Sequence, residues 1–199
     1  MDEQLEQAFI REIERQCEYA LVAYALMMEA IDISMTPGIF CRVQSFLVAA
    51  ANVSKIFDPA PKGSQPFKDA CEKRGEHLQA KFAIGATSLI LNRDLRDRFE
   101  HSDEDIEKWW SDGHTGIVDG NVSDSAALSD LIGTDAGNMC RNFVVSPPTV
   151  VLGSREYLLE PLMVAIRAVM AQARGFLGRE DADPDLVFWR SSSPDIRVG

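Results

Sequence analysis

The sequence predicts a mainly α-helical protein: an up-and-down helical bundle of four long helices plus a shorter one, with a small β-hairpin insertion. Apolar side chains recur every three or four residues over most of the 199-residue chain, which is the period of one helix face. From about residue 111 to residue 159 this period is lost, and glycines, aspartates and short β-branched runs replace it. The fractions of hydrophobic (46%) and charged (26%) residues are those of an ordinary globular domain with one core.

The first three helices are indicated by their apolar stripes and their start signals. Residues 3–32 carry one continuous stripe. Pro37 after Thr36 predicts the start of the second helix, because proline at the first helical position gives up an N–H that has no partner there. The Pro- and Gly-rich segment 58–63 ends that helix, and Ser64 can begin a third, more polar one.

The remaining elements complete a single domain. Apolar positions spaced by three and four predict one continuous fourth helix over residues 86–110. Residues 143–145 and 149–152 read as two strands around a Pro-Pro turn, and residues 157–159 as a further extended stretch.

The last helix is expected to begin at Pro161 and to end at Gly178. We therefore expect one helical domain over residues 1–178, interrupted by a Gly/Asp-rich and β-hairpin insertion at about 111–159. Residues 179–199 form a polar C-terminal tail.

The net charge of −11, from 20 basic and 31 acidic residues, opposes non-specific attraction to nucleic acid. DNA binding is not expected, and any activity on RNA would need a local cationic cleft. The acidic start of the chain, residues 1–4, does not resemble a secretory signal. No apolar run approaches the roughly 20 residues that span a bilayer, so we expect a cytoplasmic protein without membrane contact.

The four cysteines are scattered without a Cys-x-x-Cys pair, which favours free thiols over a disulfide or a zinc site. The Glu-x-x-His pairs of a dimetal bundle are missing, and so are a phosphate-binding loop, a dinucleotide fingerprint and a nucleophile elbow. We expect no metal site and no cofactor.

The strongest candidate site lies in residues 94–101, where an arginine, a carboxylate and one of three histidines come together. Histidine can exchange a proton near neutral pH, and arginine offers forked donors to a phosphate. Asp97 and His101 are four residues apart, so they share a helix face and could form a hydrogen bond. Arg96 and His101 are five apart, or about 140° around the helix axis. They converge only through a distorted helix, a wrapped arginine or a second subunit.

The run Arg96-Asp97-Arg98-Phe99-Glu100-His101 resembles the motif of the HEPN (higher eukaryotes and prokaryotes nucleotide-binding) domain family. That motif is an arginine, a polar residue, three or more further residues and a histidine. The resemblance covers about residues 1–110 and 155–178. It implies an up-and-down helical bundle that is usually dimeric. Many members are metal-independent ribonucleases of toxin–antitoxin or defence systems, and others are binding or assembly modules.

The resemblance implies a role for each residue of the motif. His101 would act on the proton of the RNA 2′-hydroxyl or of the leaving oxygen, and Arg96 would stabilise the charge on the phosphate. Asp97 would orient His101, while Arg93 and Arg98 would contact RNA or a nucleotide. The partners implied are a second copy in a homodimer, RNA and an antitoxin-like protein.

Two hypotheses of different class stay open. The chain is a metal-independent RNA endonuclease, or it is a non-catalytic helical-bundle module that binds a nucleotide or a protein partner. Residues 93–108 carry seven acidic and four basic side chains, so the motif could also be an ion-paired helix face. An Arg96 tied to Glu100, with His101 facing solvent alone, would argue against the enzyme. His77 lies next to an apolar position of the third helix and is interpreted as a residue at the boundary of its apolar stripe. His114 lies in a predicted loop and could contact a ligand.

Overall fold

The structure, a computed structural model, describes residues 1–113, 119–124, 141–153 and 155–179. In these ranges the chain is mainly helical, as predicted, and it contains a small four-stranded sheet. The helices are α1 (Glu3–Asp32), α2 (Thr36–Phe57), α3 (Gln65–Lys81), α4 (Asp94–Glu100), α5 (Ser102–Ser111) and α6 (Glu160–Phe176), with a 3-10 helix at Leu89–Leu91. The strands are β1 (Asn121–Ser123), β2 (Arg141–Val144), β3 (Thr149–Leu152) and β4 (Arg155–Leu158).

Helices α1 and α2 form the most extensive helix pair, and α6 packs against α1. The side chain of Asp2 caps α1 by accepting hydrogen bonds from the backbone N–H groups of Gln4 and Leu5. Pro37 lies in the first turn of α2, as its sequence position predicted. The large buried side chains of the core come from α1, α2, α6, the sheet and the C-terminal end of α3, where Leu78 and Phe82 are buried.

Helix α3 contacts the C-terminal end of α2 through a close backbone approach. The Nε2 of Gln79 donates a hydrogen bond of 2.9 Å to the backbone oxygen of Phe57, the last residue of α2. Gly75 makes this approach possible, because a Cβ there would lie 2.6 Å from that same oxygen. The side chain of Gln79 thus satisfies one of the carbonyls that a helix end leaves open.

The prediction of one continuous helix over residues 86–110 is wrong. This segment forms the 3-10 helix, then α4, then α5, with a break at His101. Two polar side chains explain the early part of the interruption. Ser88 Oγ accepts from the N–H of Ile90, and Asn92 Oδ1 accepts from the N–H of Asp94 at 2.9 Å. Such local bonds give the backbone an alternative to a continued helix.

The predicted hairpin is the centre of a larger sheet. Strands β2 and β3 pair antiparallel with Phe143 opposite Val150, which confirms the hairpin. The described sheet continues on both sides, with β4 antiparallel to β3 and β1 parallel to β2. Phe143 and Val150 are fully buried and belong to the same core as the helices, so the sheet is packed on the helical part.

Helix α2 is long and apolar enough, by length and composition, to cross a membrane. Arg42, Gln44 and Asn52 interrupt its apolar residues, so the helix does not contain an uninterrupted apolar run of about 20 residues. Half of its 18-residue apolar window is buried inside the structure, and the core helix of a soluble protein passes the same test. Among the described residues α2 is the one helix of this kind.

The last helix, α6, ends where the sequence predicted. Its cap region reaches Gly178, whose positive φ of 67° suits glycine at the end of a helix. His114, Cys140 and residues 180–199 lie outside the described residues.

Candidate functional site

The Arg96 side chain is bound by two carboxylates of its own helix. Its Nη1 lies 2.7 Å from Asp97 Oδ1, and its Nη2 lies 2.6 Å from Glu100 Oε2. Burial acts to lower the pKa of Arg96, but the hydrogen bonds and charges of Asp97 and Glu100 outweigh it and raise the pKa. The side chain is 23% exposed, and each terminal nitrogen of its guanidinium faces a carboxylate, whereas the buried Nε has no hydrogen-bond partner among the described residues.

His101 lies at the boundary between α4 and α5 rather than inside a helix. Its ring is 61% exposed, and the nearest carboxylate is Glu104, with Oε1 at 3.3 Å from Nδ1. The predicted hydrogen bond between the Asp97 carboxylate and the His101 ring is not formed in the described structure. Asp97 touches His101 only through the backbone, where the His101 N–H donates to the Asp97 carbonyl oxygen at 3.0 Å.

Glu104 is the residue at this site that the sequence argument did not select. It follows His101 by three residues, a spacing that places two side chains on one helix face, and this spacing was the available signal. A carboxylate on Nδ1 leaves Nε2 directed elsewhere, which is the arrangement of a histidine that could act as a base. His101 thus has a carboxylate beside one ring nitrogen, but this carboxylate belongs to Glu104 and not to the predicted Asp97.

The two other predicted binding arginines also have acceptors or neighbours close by. Arg93 Nη2 lies 3.0 Å from Asp58 Oδ2, in the loop after α2. The positive charge of Arg98 acts on Tyr157 of β4, where it opposes the rise of the tyrosine pKa. That rise comes from burial first and then from the hydrogen bond that Tyr157 donates to Asp94, at 2.6 Å. These side chains link α4 to the loop after α2 and to the sheet.

Taken together, these contacts place Arg96 and His101 beside different carboxylates. Arg96 points into a pair of carboxylates, and His101 lies past the end of that helix beside a third. In the part of the chain that the structure describes, there is also no group of three or more His, Cys, Asp or Glu side chains that could hold a metal ion.

A second candidate region is an open groove of about 590 Å³ between α1 and α2. Its lining is uncharged throughout: Gln16, Tyr19, Cys41, Gln44, Ser45, Val48, Ala49 and Asn52. A hydrogen-bond chain orders one end of it, since Asn52 donates to Gln16 at 3.2 Å and Gln16 donates to Glu12 at 2.8 Å. The sequence argument treated α2 only as a core helix, although the helix carries no acidic residue, and it missed this surface.

The fold and these two regions define a mainly α-helical protein with a small mixed sheet, an ion-paired Arg-x4-His motif and an uncharged interhelical groove. No protein-family model, curated protein or solved structure matches the chain. The resemblance to the HEPN family stays a prediction.

Proposed function

We propose that this chain is a non-catalytic helical-bundle module that binds a protein partner. The observation that carries this proposal is the pairing of Arg96 with both Asp97 and Glu100. An RNA phosphate would have to displace two carboxylates from the guanidinium, in a chain whose net charge is −11. The catalytic role would require a charge-assisted contact between the Arg96 guanidinium and an RNA phosphate, and the carboxylates of Asp97 and Glu100 already lie at its terminal nitrogens.

The up-and-down bundle is part of this proposal. Its support is the long α1–α2 pair, the packing of α6 on α1, and the contacts of α3 and α4 with α2. Such a bundle presents helix faces and interhelical grooves to a partner, which is a common mode of protein recognition. A HEPN-type module without catalysis would have these same parts.

The metal-independent ribonuclease is the second candidate, and one observation favours it. The His101 ring is 61% exposed and its Nδ1 lies 3.3 Å from Glu104 Oε1, and a carboxylate beside one ring nitrogen is an arrangement that a general base can use. A homodimer, with a second copy bringing an arginine to this ring, would supply the cation that Arg96 of the same chain does not offer.

Cleavage of total RNA by the purified protein in EDTA separates the two functions. We expect no cleavage by the wild-type protein, by His101→Ala or by the control His77→Ala. His77 is also accessible but contacts Glu6 on α1, far in sequence from the motif. Cleavage that is retained in His77→Ala and lost in His101→Ala would overturn the non-catalytic proposal. Sedimentation of the same samples over a range of concentrations would test the homodimer.

A further inference from the structure

The groove between α1 and α2 has the composition of a docking surface. Its floor contains small side chains, including Cys41, Ser45 and Ala49, which succeed one another at intervals of four along α2. Tyr19 and Val48 also line the groove and are 54% and 38% exposed. A helix laid in such a groove could approach closely and cover these apolar side chains.

The charge of α2 sets this surface apart from the rest of the protein. The chain has 31 acidic residues, yet α2 contains none over its 22 residues. Its charged residues are Arg42 and Lys55, both of them exposed. Neither forms an ion pair with any residue that the structure describes. These two cations are thus available to carboxylates of a binding partner.

The two cations lie toward opposite ends of the groove. They are 13 positions apart in the sequence, or about 20 Å along a helix that rises 1.5 Å per residue. At 100° per residue, the α2 residues of the groove cover an arc of about 140°. Lys55 falls inside this arc and Arg42 lies just beside it.

We propose that this groove binds an amphipathic helix of another protein, with a small or apolar stripe and carboxylates near its two ends. The stripe would cover the uncharged floor, and the carboxylates would meet Arg42 and Lys55. This inference rests on the proposed function as a partner-binding module, and it identifies the surface and the chemistry of the partner.

The same charges disfavour a second copy of this chain as the occupant. The midpoint between Arg42 and Lys55 falls between Val48 and Ala49, in the middle of the groove. A two-fold, antiparallel pairing of α2 helices about this point would place Arg42 of each copy against Lys55 of the other. Like charges set opposite each other destabilise such a contact.

The groove and the Arg96–His101 motif lie on different sides of α2. Helix α4 approaches α2 at Leu47, Ala50 and Ala51, which line a small cavity with Arg96. On a helical wheel the mean direction of these three residues is about 140° from that of the groove residues. Binding in the groove can therefore be measured independently of RNA cleavage.

Cys41 provides a reporter inside the groove, since it is exposed whereas Cys17 and Cys71 are buried. The test would follow the reaction of Cys41 with a thiol reagent in a full-length Cys140→Ser background. The probe is a designed helical peptide with an Ala/Leu stripe and two glutamates 13 positions apart. Its twin carries lysines at those two positions. We expect the glutamate peptide to slow the reaction about tenfold at about ten times its Kd, by simple mass action, and the lysine peptide not to slow it.

The double substitution Arg42→Glu and Lys55→Glu should reverse the preference between the two peptides. Both positions are exposed, and the far-UV circular dichroism spectrum would check that the fold is retained. Equal protection by both peptides, protection by neither, or an unchanged preference in the double variant would overturn the proposal. Protection that grows with the concentration of the protein alone would assign the groove to a second copy instead. RNA cleavage dependent on His101 would refute the proposed function while leaving this measurement interpretable.

Discussion

Replacing Gly75 with alanine tests whether α3 can lie this close to the end of α2 only because residue 75 has no side chain. An added Cβ would lie 2.6 Å from the backbone oxygen of Phe57 and 2.7 Å from Cδ of Pro59. Neither a backbone oxygen nor a proline ring can rotate away, so α3 would have to move. Alanine in a helix interior gains about 1 kcal/mol over glycine. Forcing extra atoms into a packed site costs about 1–3 kcal/mol. A displaced α3 would also weaken the bond from Gln79 to Phe57, at about 1 kcal/mol.

The sum predicts that Gly75→Ala lowers the free energy of unfolding by about 2 kcal/mol. With an m-value of about 2 kcal/mol per molar urea, the unfolding midpoint would fall by about 1 M. Urea titration followed by far-UV circular dichroism measures this shift. The matched control is Gly85→Ala, because a Cβ at Gly85 would meet no atom within 4 Å and should leave the midpoint nearly unchanged. A midpoint for Gly75→Ala equal to or above that of the wild type would refute the reasoning.

Two further predictions concern buried and partly buried ion pairs. Glu14 is 9% exposed and accepts hydrogen bonds from Arg174 at 3.3 Å and from Arg179 at 2.9 Å. Glu14→Gln should therefore lower the free energy of unfolding in urea by about 2–3 kcal/mol, whereas Glu12→Gln, at a half-buried side chain, should lower it by less than about 1 kcal/mol; equal costs would contradict this. The pKa of Asp119 lies below its usual value, chiefly because the Arg141 side chain donates hydrogen bonds to it, against the effect of burial. A lowered pKa in the folded state stabilises the protein above the ordinary pKa and ceases to do so as pH falls through the lowered value. The stability advantage of the wild type over Asp119→Asn should thus be constant near neutral pH and shrink below about pH 4 in urea titrations; an advantage independent of pH would argue against the ion pair.

The helices that could be predicted are those whose apolar stripe and end signals agree. The bounds of α1, α2 and α6 follow from this agreement. The segment 86–110 shows the limit of this approach, because Leu91, Leu95 and Phe99 keep a spacing of four across the junction between the 3-10 helix and α4. An apolar period reports which positions are buried, and it persists when the backbone between them is interrupted. The local bonds of Ser88 and Asn92 decide continuity, and they leave no trace in the hydrophobic pattern.

The sheet was predicted only where pairing is local. Strands β2 and β3 follow each other directly, so their apolar residues and turn could be read together. Strand β1 pairs in parallel with β2 from a position 21 residues earlier in the chain, with Asn121 opposite Asn142. Its three residues, Asn121–Ser123, show no strand pattern of their own. Such a pairing depends on tertiary contacts, which periodicity does not encode.

The residues of the candidate site were identifiable, but the choice among their partners was not. Asp97 could pair with Arg96 or with His101, since both lie within reach along one helix. In the structure the Asp97 carboxylate pairs with Arg96, and the His101 ring, at the break between α4 and α5, lies beside Glu104. A spacing rule states which pairs can form on an ideal helix, whereas competition between pairs depends on where that helix ends.

This competition also determines where the protein can use its positive charge. Arg93 is matched by Asp58, Arg96 by Asp97 and Glu100, and each of these pairs lies at or near the motif that resembles a nuclease site. A cation already paired with a carboxylate adds little attraction for a second anion, because the incoming group must replace the first one. Arg42 and Lys55 lie on a helix without carboxylates, beside an uncharged floor. Recognition of an acidic partner is therefore expected on α2 rather than at the Arg96–His101 motif.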